Sequence, residues 1–259
     1  MPTKRNPSVQ SVERAIDILE TFSANQPRLG VGELSRRVDL PKSTVFRLLT
    51  TLESRGFVAQ NSETGLYNLG IKLIPLANSV YVYSDLRQVA RPYLRSLADT
   101  LEETTSLSVL VDTETIHLYQ VEFTGRLVVR AGRAGHRIPF HATSGGKVIA
   151  AFLPEAEMEA LLASPLPNLT SATITDSDTL KSQLLEVRTR GYAISIEELE
   201  EGLHAISSPI YNHEGNVIAS VSVSGPSYRL TRSRIEESSP LVIQAADQIS
   251  RELGHIQGS

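Results

Sequence analysis

The chain has no cysteine and no tryptophan among its 259 residues. Without a thiol there is no disulfide, no cysteine-ligated zinc, no iron–sulfur cluster and no thiol nucleophile, so four classes of chemistry fall away together. Aromatic residues make up only 5% of the chain, and no uninterrupted apolar run approaches the roughly 18 residues that a membrane helix needs. The first eleven residues are polar and hold no hydrophobic stretch of the signal-peptide kind, so the protein is expected in the cytoplasm, with no membrane partner. The six histidines, at 117, 136, 141, 204, 213 and 255, show neither the H-E-x-x-H spacing nor a comparable ligand spacing. No metal and no cofactor is expected.

The chain does have 41% hydrophobic residues, enough for the cores of two ordinary domains. Its net charge of −4 hides an asymmetry. Residues 1–75 carry ten Lys and Arg against seven Asp and Glu, whereas the remainder carries 15 against 22. Only the N-terminal part is drawn toward phosphates.

Residues 40–58, LPKSTVFRLLTTLESRGFV, organise that part. Val45, Leu48, Leu49 and Leu52 recur at i, i+3, i+4 and i+7, the stripe of a packed helix. The opposite face carries Ser43, Arg47, Thr50 and Ser54, with Lys42 and Thr44 at the first turn, a set of donors free of carboxylates. Pro41 suits the first helical position and Gly56 the left-handed position past the helix end. Val31, Leu34 and Val38 mark a shorter helix just before, and Val12, Ile16, Leu19 and Phe22 mark a leading helix with Ser11 as its cap. After the helix, residues 57–60 and 66–69 read as strands around a polar turn. The order predicts a winged helix-turn-helix, with Lys42, Ser43, Thr44, Arg47 and Thr50 facing double-stranded DNA. Lys4 and Arg5 in the leading arm are placed to touch backbone phosphate.

Residues 71–83 are apolar on more than one face, which predicts self-association through a linker helix. Ser84 and Asp85 read as its end and a fresh cap, and Leu86, Ala90, Tyr93, Leu97 and Leu101 as a further stripe. From Ser106 the period becomes strand-like in SLSVLVD, IHLYQVE and RLVVRA. Residues 135–143 read as a loop that opens a helix at 147–152, and two more helices precede strands at 192–196, 205–211 and 216–224. A final helix covers 235–253. Strands and helices in this mixed order predict an α+β fold, with an antiparallel sheet flanked by helices. The expected division is 1–70 for DNA binding, 71–84 for the linker and 85–259 for the second domain.

Two enzyme readings fail on missing parts. Ser144 and Lys147 have the S-x-x-K spacing of penicillin-recognising enzymes, but the chain has neither Lys-Thr-Gly nor Ser-Asp-Asn. Gly146-Lys147 has the end of a phosphate loop, but His141 stands where the first glycine belongs and Val148 where the hydroxyl belongs. What survives is a polar loop at a helix N-terminus, where Ser144, Gly145 and Gly146 offer a hydroxyl and N–H groups to an anion. A turn that simply needs glycine is the competing account.

At this point the chain resembles the isocitrate lyase regulator (IclR) family of bacterial transcription factors over nearly its whole length. The resemblance rests on SVERAIDILETF and LPKSTVFRLLTTLESRGFV, on FHATSGGKV, on VSVSGP at 221–226, and on a signature running from Gly191 to Asn212. That signature places Ser195, Glu198, Ala205, Ile206, Ser207, Ile210 and Tyr211 at the family's spacing. The resemblance implies a GAF-like effector domain, a homodimer formed through the linker helix, and commonly a tetramer of two dimers. It implies effectors that are small organic acids or aromatic compounds, held at Ser144, Gly145, Ser195, Ala205, Ser222 and Ser224. Some members have aspartate where Ser195 stands and cysteine where Ala205 stands, so their effectors do not carry over. The expected function is a repressor or activator, not an enzyme, acting on a roughly palindromic operator under effector control. The alternative is a small-molecule enzyme with an accessory DNA module, which lacks a base partnered to Ser144.

Overall fold

The computed structural model describes residues 9–23, 26–78, 81–123 and 137–256. It divides into two compact units, 1–81 and 82–259. The arm with Lys4 and Arg5, the segment RLVVRA and Gly135 lie outside the described residues, as do Val80 and the side chains of Tyr81, Val82 and Tyr83.

The N-terminal unit packs α1 (Gln10–Glu20), α2 (Val31–Arg37) and α3 (Lys42–Ser54) with a hairpin of β1 (Val58–Gln60) and β2 (Tyr67–Leu69). A bridge from Leu29 to Tyr67 adds a third line of backbone pairing to this wing. Ile18, Leu34, Val45 and Leu49 are fully buried, and Leu48, Leu52, Val31 and Val38 pack around them. The stripe expected for α1 holds at Leu19 and Phe22 but is corrected at Val12 and Ile16, which are exposed, with Ile18 entering the core instead. Ser11 is not the cap, because the helix starts from Val9 without a side-chain bond. Pro41 is likewise the residue before the helix, with φ −56° and ψ 140°, and not its first turn.

The turn between α2 and α3 places Asp39 at φ 49°, a left-handed conformation that aspartate tolerates. Gly56 has φ 77° just past α3, as the sequence requires. Glu53 accepts a hydrogen bond from the Gln60 N–H at 3.0 Å, which ties the end of α3 to the wing. Beyond the wing, Ile71 just before α4 (Leu73–Asn78) and Ile74 and Leu76 on it are exposed.

The C-terminal unit begins with α5 (Tyr81–Leu101). Ser84 and Asp85 lie inside this helix and do not interrupt it, a correction to the sequence reading. The sheet contains β3 (Thr104–Val111), β4 (Glu114–Val121), β5 (Arg137–Pro139), β6 (Ala193–Ile196), β7 (Leu203–Tyr211) and β8 (Val217–Pro226). Their order is β5-β4-β3-β8-β7-β6, and every neighbouring pair is antiparallel. The edge strand β5 replaces part of the expected loop, with Pro139 tolerated because an edge leaves one side unpaired.

One face of the sheet is covered by α5 and α9 (Arg232–Glu252), whose Leu86, Leu94, Val242 and Ile249 meet Leu107, Val221, Val223 and Ile206. The other face receives α6 (Ser144–Phe152), with α7 (Glu155–Leu162) and α8 (Ser177–Arg190) outside it. Residues 144–151 of α6 are all buried. A helix buried on every side tells little by periodicity, which is why its first turn was expected three residues late.

Candidate functional site

In the N-terminal unit Lys42, Ser43, Arg47 and Thr50 are exposed on α3, and Thr44 is half-buried. Ser43, Arg47 and Thr50 share the face opposite Val45 and Leu49, while Lys42 and Thr44 belong to the first turn. The Thr50 hydroxyl donates to the Phe46 carbonyl at 2.9 Å, so its methyl group and lone pairs remain for a partner. Phe46, which the sequence reading passed over, is 54% exposed beside Lys42 and Thr50 on the same side of the helix. An exposed aromatic ring one residue from the central arginine was the signal for it. Glu33 on α2 is engaged with Arg37 and Arg36, and those guanidinium groups hold its carboxyl below the usual range.

In the C-terminal unit all six residues singled out from the sequence, Ser144, Gly145, Ser195, Ala205, Ser222 and Ser224, line one cavity. The enclosed space is small, about 30 Å³, and reaches about 410 Å³ only when the open solvent at the mouth is included. The sheet register explains the meeting: Ala205 opposes Ser224, Ser195 opposes Ala205, and Ser207 opposes Ser222. Strand alternation puts Ser222 and Ser224 on one face, and β3 adds Ser106 opposite Ser222 and Ser108 opposite Ser220. Ser106, Ser108, Thr115, His117 and Thr143 also line the cavity and were missed. The alternating serines of SLSVLV carried the same signal as those of VSVSGP.

The helix end at the cavity differs from the expected anion seat in two respects. Thr143 caps α6, its hydroxyl accepting from the Gly146 N–H at 2.9 Å, and the Ser144 hydroxyl bonds Ser207 at 2.7 Å. The N–H groups of Ser144 and Gly145 are left without an acceptor among the described residues. Two donors at the positive end of a helix dipole favour an anion. The two glycines also differ. A Cβ on Gly145 would stand 3.0 Å from Ser220 Oγ and 3.2 Å from Ser222 Oγ, whereas one on Gly146 would stand 2.4 Å from the Phe140 carbonyl oxygen.

Behind the cavity, Lys147 and Glu198 form a buried ion pair at 2.6 Å, and Lys147 also donates to Gln183 at 3.0 Å. Burial outweighs the Glu198 charge and lowers the Lys147 pKa. His141 is fully buried, with Nε2 3.0 Å from the Pro167 carbonyl oxygen. Its pKa is lowered from 6.5, chiefly by burial and further by Lys147, against the Pro167 bond that raises it. A folded-state pKa below the unfolded one means that the unfolded chain binds the proton first as pH falls. Stability present above pH 6.5 is therefore lost as pH falls toward the folded pKa, by at most about 1.4 kcal/mol per pH unit. Urea unfolding at pH 7.5 and 5.5 should show a steeper loss in the parent than in His141→Gln. Equal losses would remove His141 from the acid response.

Comparison with known proteins supports the same division of labour. A family model for the IclR helix-turn-helix domain matches residues 11–62, and one for the bacterial transcriptional regulator IclR C-terminal matches residues 79–251. The chain is 38% identical over 251 residues to the HTH-type transcriptional regulator XynR of Escherichia coli strain K12, across 96% of this chain and 99% of that protein. It is 35% identical over 246 residues to the HTH-type transcriptional repressor AllR of the same strain, across 95% and 90%. An IclR homolog complexed with 4-hydroxybenzoate, from Microbacterium hydrocarbonoxydans, matches with a TM-score of 0.84 at 29% identity, across 94% of this chain and 99% of that one. The Thermotoga maritima IclR matches at 0.72 and 31%, across 95% and 99%. The curated relatives are named as regulators and repressors, not as enzymes. With a DNA-binding helix-turn-helix in one unit and an effector-binding domain in the other, the chain belongs to the IclR family of bacterial transcriptional regulators.

Proposed function

We propose that this protein binds its operator through α3 and that an organic acid or aromatic effector, seated in the cavity between α6 and the sheet, sets that affinity. The observation that carries the reading is the pair of uncommitted N–H groups on Ser144 and Gly145, facing a cavity that Ser195, Ala205, Ser222 and Ser224 also line. The neighbour complexed with 4-hydroxybenzoate supports a carboxylic acid as the ligand. No helix among the described residues is long and apolar enough to cross a membrane, which fits action in the cytoplasm. Residues 1–70 serve DNA, 71–84 the linker and 85–259 the effector. The exposed Ile71, Ile74 and Leu76 favour a homodimer on a roughly palindromic operator, and two dimers form a tetramer.

The effector acts only as far as it binds one arrangement of the paired DNA-binding units better than the other. A panel of acids tested by thermal shift, with the hits added to an operator-binding titration, tests the proposal. Hits should move operator affinity and be recovered unaltered. Acids that bind without moving it would contradict effector control, and acids consumed would favour an enzyme.

On the DNA side, Lys42, Ser43, Thr44, Arg47 and Thr50 form the contact face, with Phe46 placed to meet a thymine methyl group. Arg47→Ala should weaken operator binding by about 1 to 3 kcal/mol, roughly tenfold or more. Loss of preference at one base pair would mark a guanine contact, and uniform weakening a phosphate contact. Unchanged affinity in a folded variant would take Arg47 out of the interface.

A further inference from the structure

The closed part of the α6 cavity is too small for an organic acid. About 30 Å³ is enclosed, room for a water molecule or two, whereas a pocket that surrounds an organic ligand needs roughly 300 Å³ or more. Some part of the wall must therefore move when a ligand enters. Four lining residues are half-buried and mark the mouth: His117, Leu199, Ala205 and Ser224. Three of them belong to β4, β7 and β8 and are held by the ladder of the sheet. Leu199 alone stands outside helix and strand. The buried wall is fixed as well, because Thr143 bonds Thr115 at 3.0 Å, Ser144 bonds Ser207 at 2.7 Å, and Ser195 donates to the Ala142 carbonyl oxygen at 2.9 Å. These bonds sew the start of α6 to β4, β7 and β6.

Leu199 lies on the connection from the edge strand β6 to β7, which is pinned at both ends. At its start, Thr170 and Thr173 hold the carbonyl oxygens of Glu197 and Glu198 at 2.7 Å each, and Lys147 holds the Glu198 carboxylate. At its end, the Gly202 carbonyl oxygen accepts from the Ser227 N–H at 2.7 Å, and the Gly202 N–H donates to the Glu197 carboxylate at 3.0 Å. Glu197 and Gly202 form the corners, with φ 58° and 76°. Between the pins, residues 199–201 make one hydrogen bond among the described residues, from the Leu203 N–H to the Glu200 carbonyl oxygen at 3.1 Å, and the side chains of Glu200 and Glu201 are exposed. So few ties make this the least restrained part of the wall.

Resting on the reading of this cavity as the effector site, we propose that residues 199–201 are its gate, with the Leu199 side chain closing the mouth. When the strap swings outward between its pins, the isobutyl group leaves the mouth and neither the sheet nor α6 has to shift. The closed gate lowers the apparent affinity for an effector by the fraction of molecules in which it stands open.

Amide hydrogen exchange in the free full-length protein, read by NMR, tests the gate with water as the probe. The Ser144 and Gly145 N–H groups face the cavity without an acceptor among the described residues, so the closed mouth is what slows their exchange. In the parent both should exchange about tenfold or more slowly than in an unstructured peptide. Leu199→Ala should speed both about tenfold while the paired amides of β3 and β8 keep their parental rates. Thr173→Val releases one pin without touching the cavity and should speed them several-fold. Peptide-like rates in the parent, rates unmoved by both variants, or a rise shared equally by the β3 and β8 amides would overturn the gate. The effector-site reading fails separately, through an acid that binds Gly145→Val as tightly as the parent, a measurement in which amide exchange has no part.

Discussion

Replacing Lys147 by alanine should cost about 3 to 5 kcal/mol of stability, because it leaves a buried carboxylate without its cation. Lys147 is fully buried, Glu198 is 4% exposed, and the pair meets at 2.6 Å between α6 and the residue two beyond β6. The Glu198 Oε1 that accepts from Lys147 also accepts from the Ile196 N–H at 3.3 Å, while Oε2 is buried with no partner. Removing the ammonium therefore strands a charge that only one backbone donor addresses. The double variant Lys147→Met with Glu198→Leu should recover most of the loss, since a buried pair replaced by apolar groups of similar size is often close to neutral. Urea unfolding of the parent, both single variants and the double variant gives the coupling directly. A Lys147→Ala loss below about 1 kcal/mol would show the pair to be solvated in a way the structure does not display.

That ion pair also sets the shape of the cavity. Lys147 lies one turn along α6 from Ser144, and Glu198 precedes Leu199, which lines the cavity wall. Thr170 and Thr173 donate to the carbonyl oxygens of Glu197 and Glu198 at 2.7 Å each, so the segment before α8 is pinned to the same corner. None of Lys147, Glu198, Thr170 and Thr173 lines the cavity itself.

The second large effect is expected at Gly146. A methyl group there would stand 2.4 Å from both the Phe140 carbonyl oxygen and Thr115 Oγ1, and 2.6 Å from Phe140 Cα. Two of these three atoms are backbone, so no side-chain rotation relieves the contact. Gly146→Ala gains roughly 1 kcal/mol of helix propensity but should lose about 3 kcal/mol net, by forcing α6 away from the turn at residues 140–142. Because Ser144 and Gly145 ride on the same turn, ligand binding should fall with stability. Thermal unfolding with and without a bound acid measures both. A stable Gly146→Ala protein with parental ligand affinity would contradict this packing.

The two neighbouring glycines mark where the sequence stops being legible. Ser144-Gly-Gly read as one anion seat, yet Gly145 faces the serine floor and Gly146 faces backbone, a difference only the packed neighbours create. The α3 stripe, Gly56 and the wing were legible because each follows from local periodicity or φ. The leading helix misled because its apolar residues fit two arcs, and packing against α3 selected Ile18 over Val12 and Ile16. Ser222 and Ser224 were readable by alternation, as Ser106 and Ser108 could have been. Lys147 and Glu198 are 51 residues apart in the chain, and no local pattern announces such a pair. The short strand β5 offered too few residues for any period to show.

Control of operator binding by a small molecule in the α6 cavity has a direct signature. Fluorescence anisotropy of a labelled operator, titrated with parent and Gly145→Val protein with and without a bound acid, tests it most directly. The acid should shift the operator Kd of the parent and leave that of Gly145→Val unmoved. The same acid-dependent shift in both proteins would contradict it.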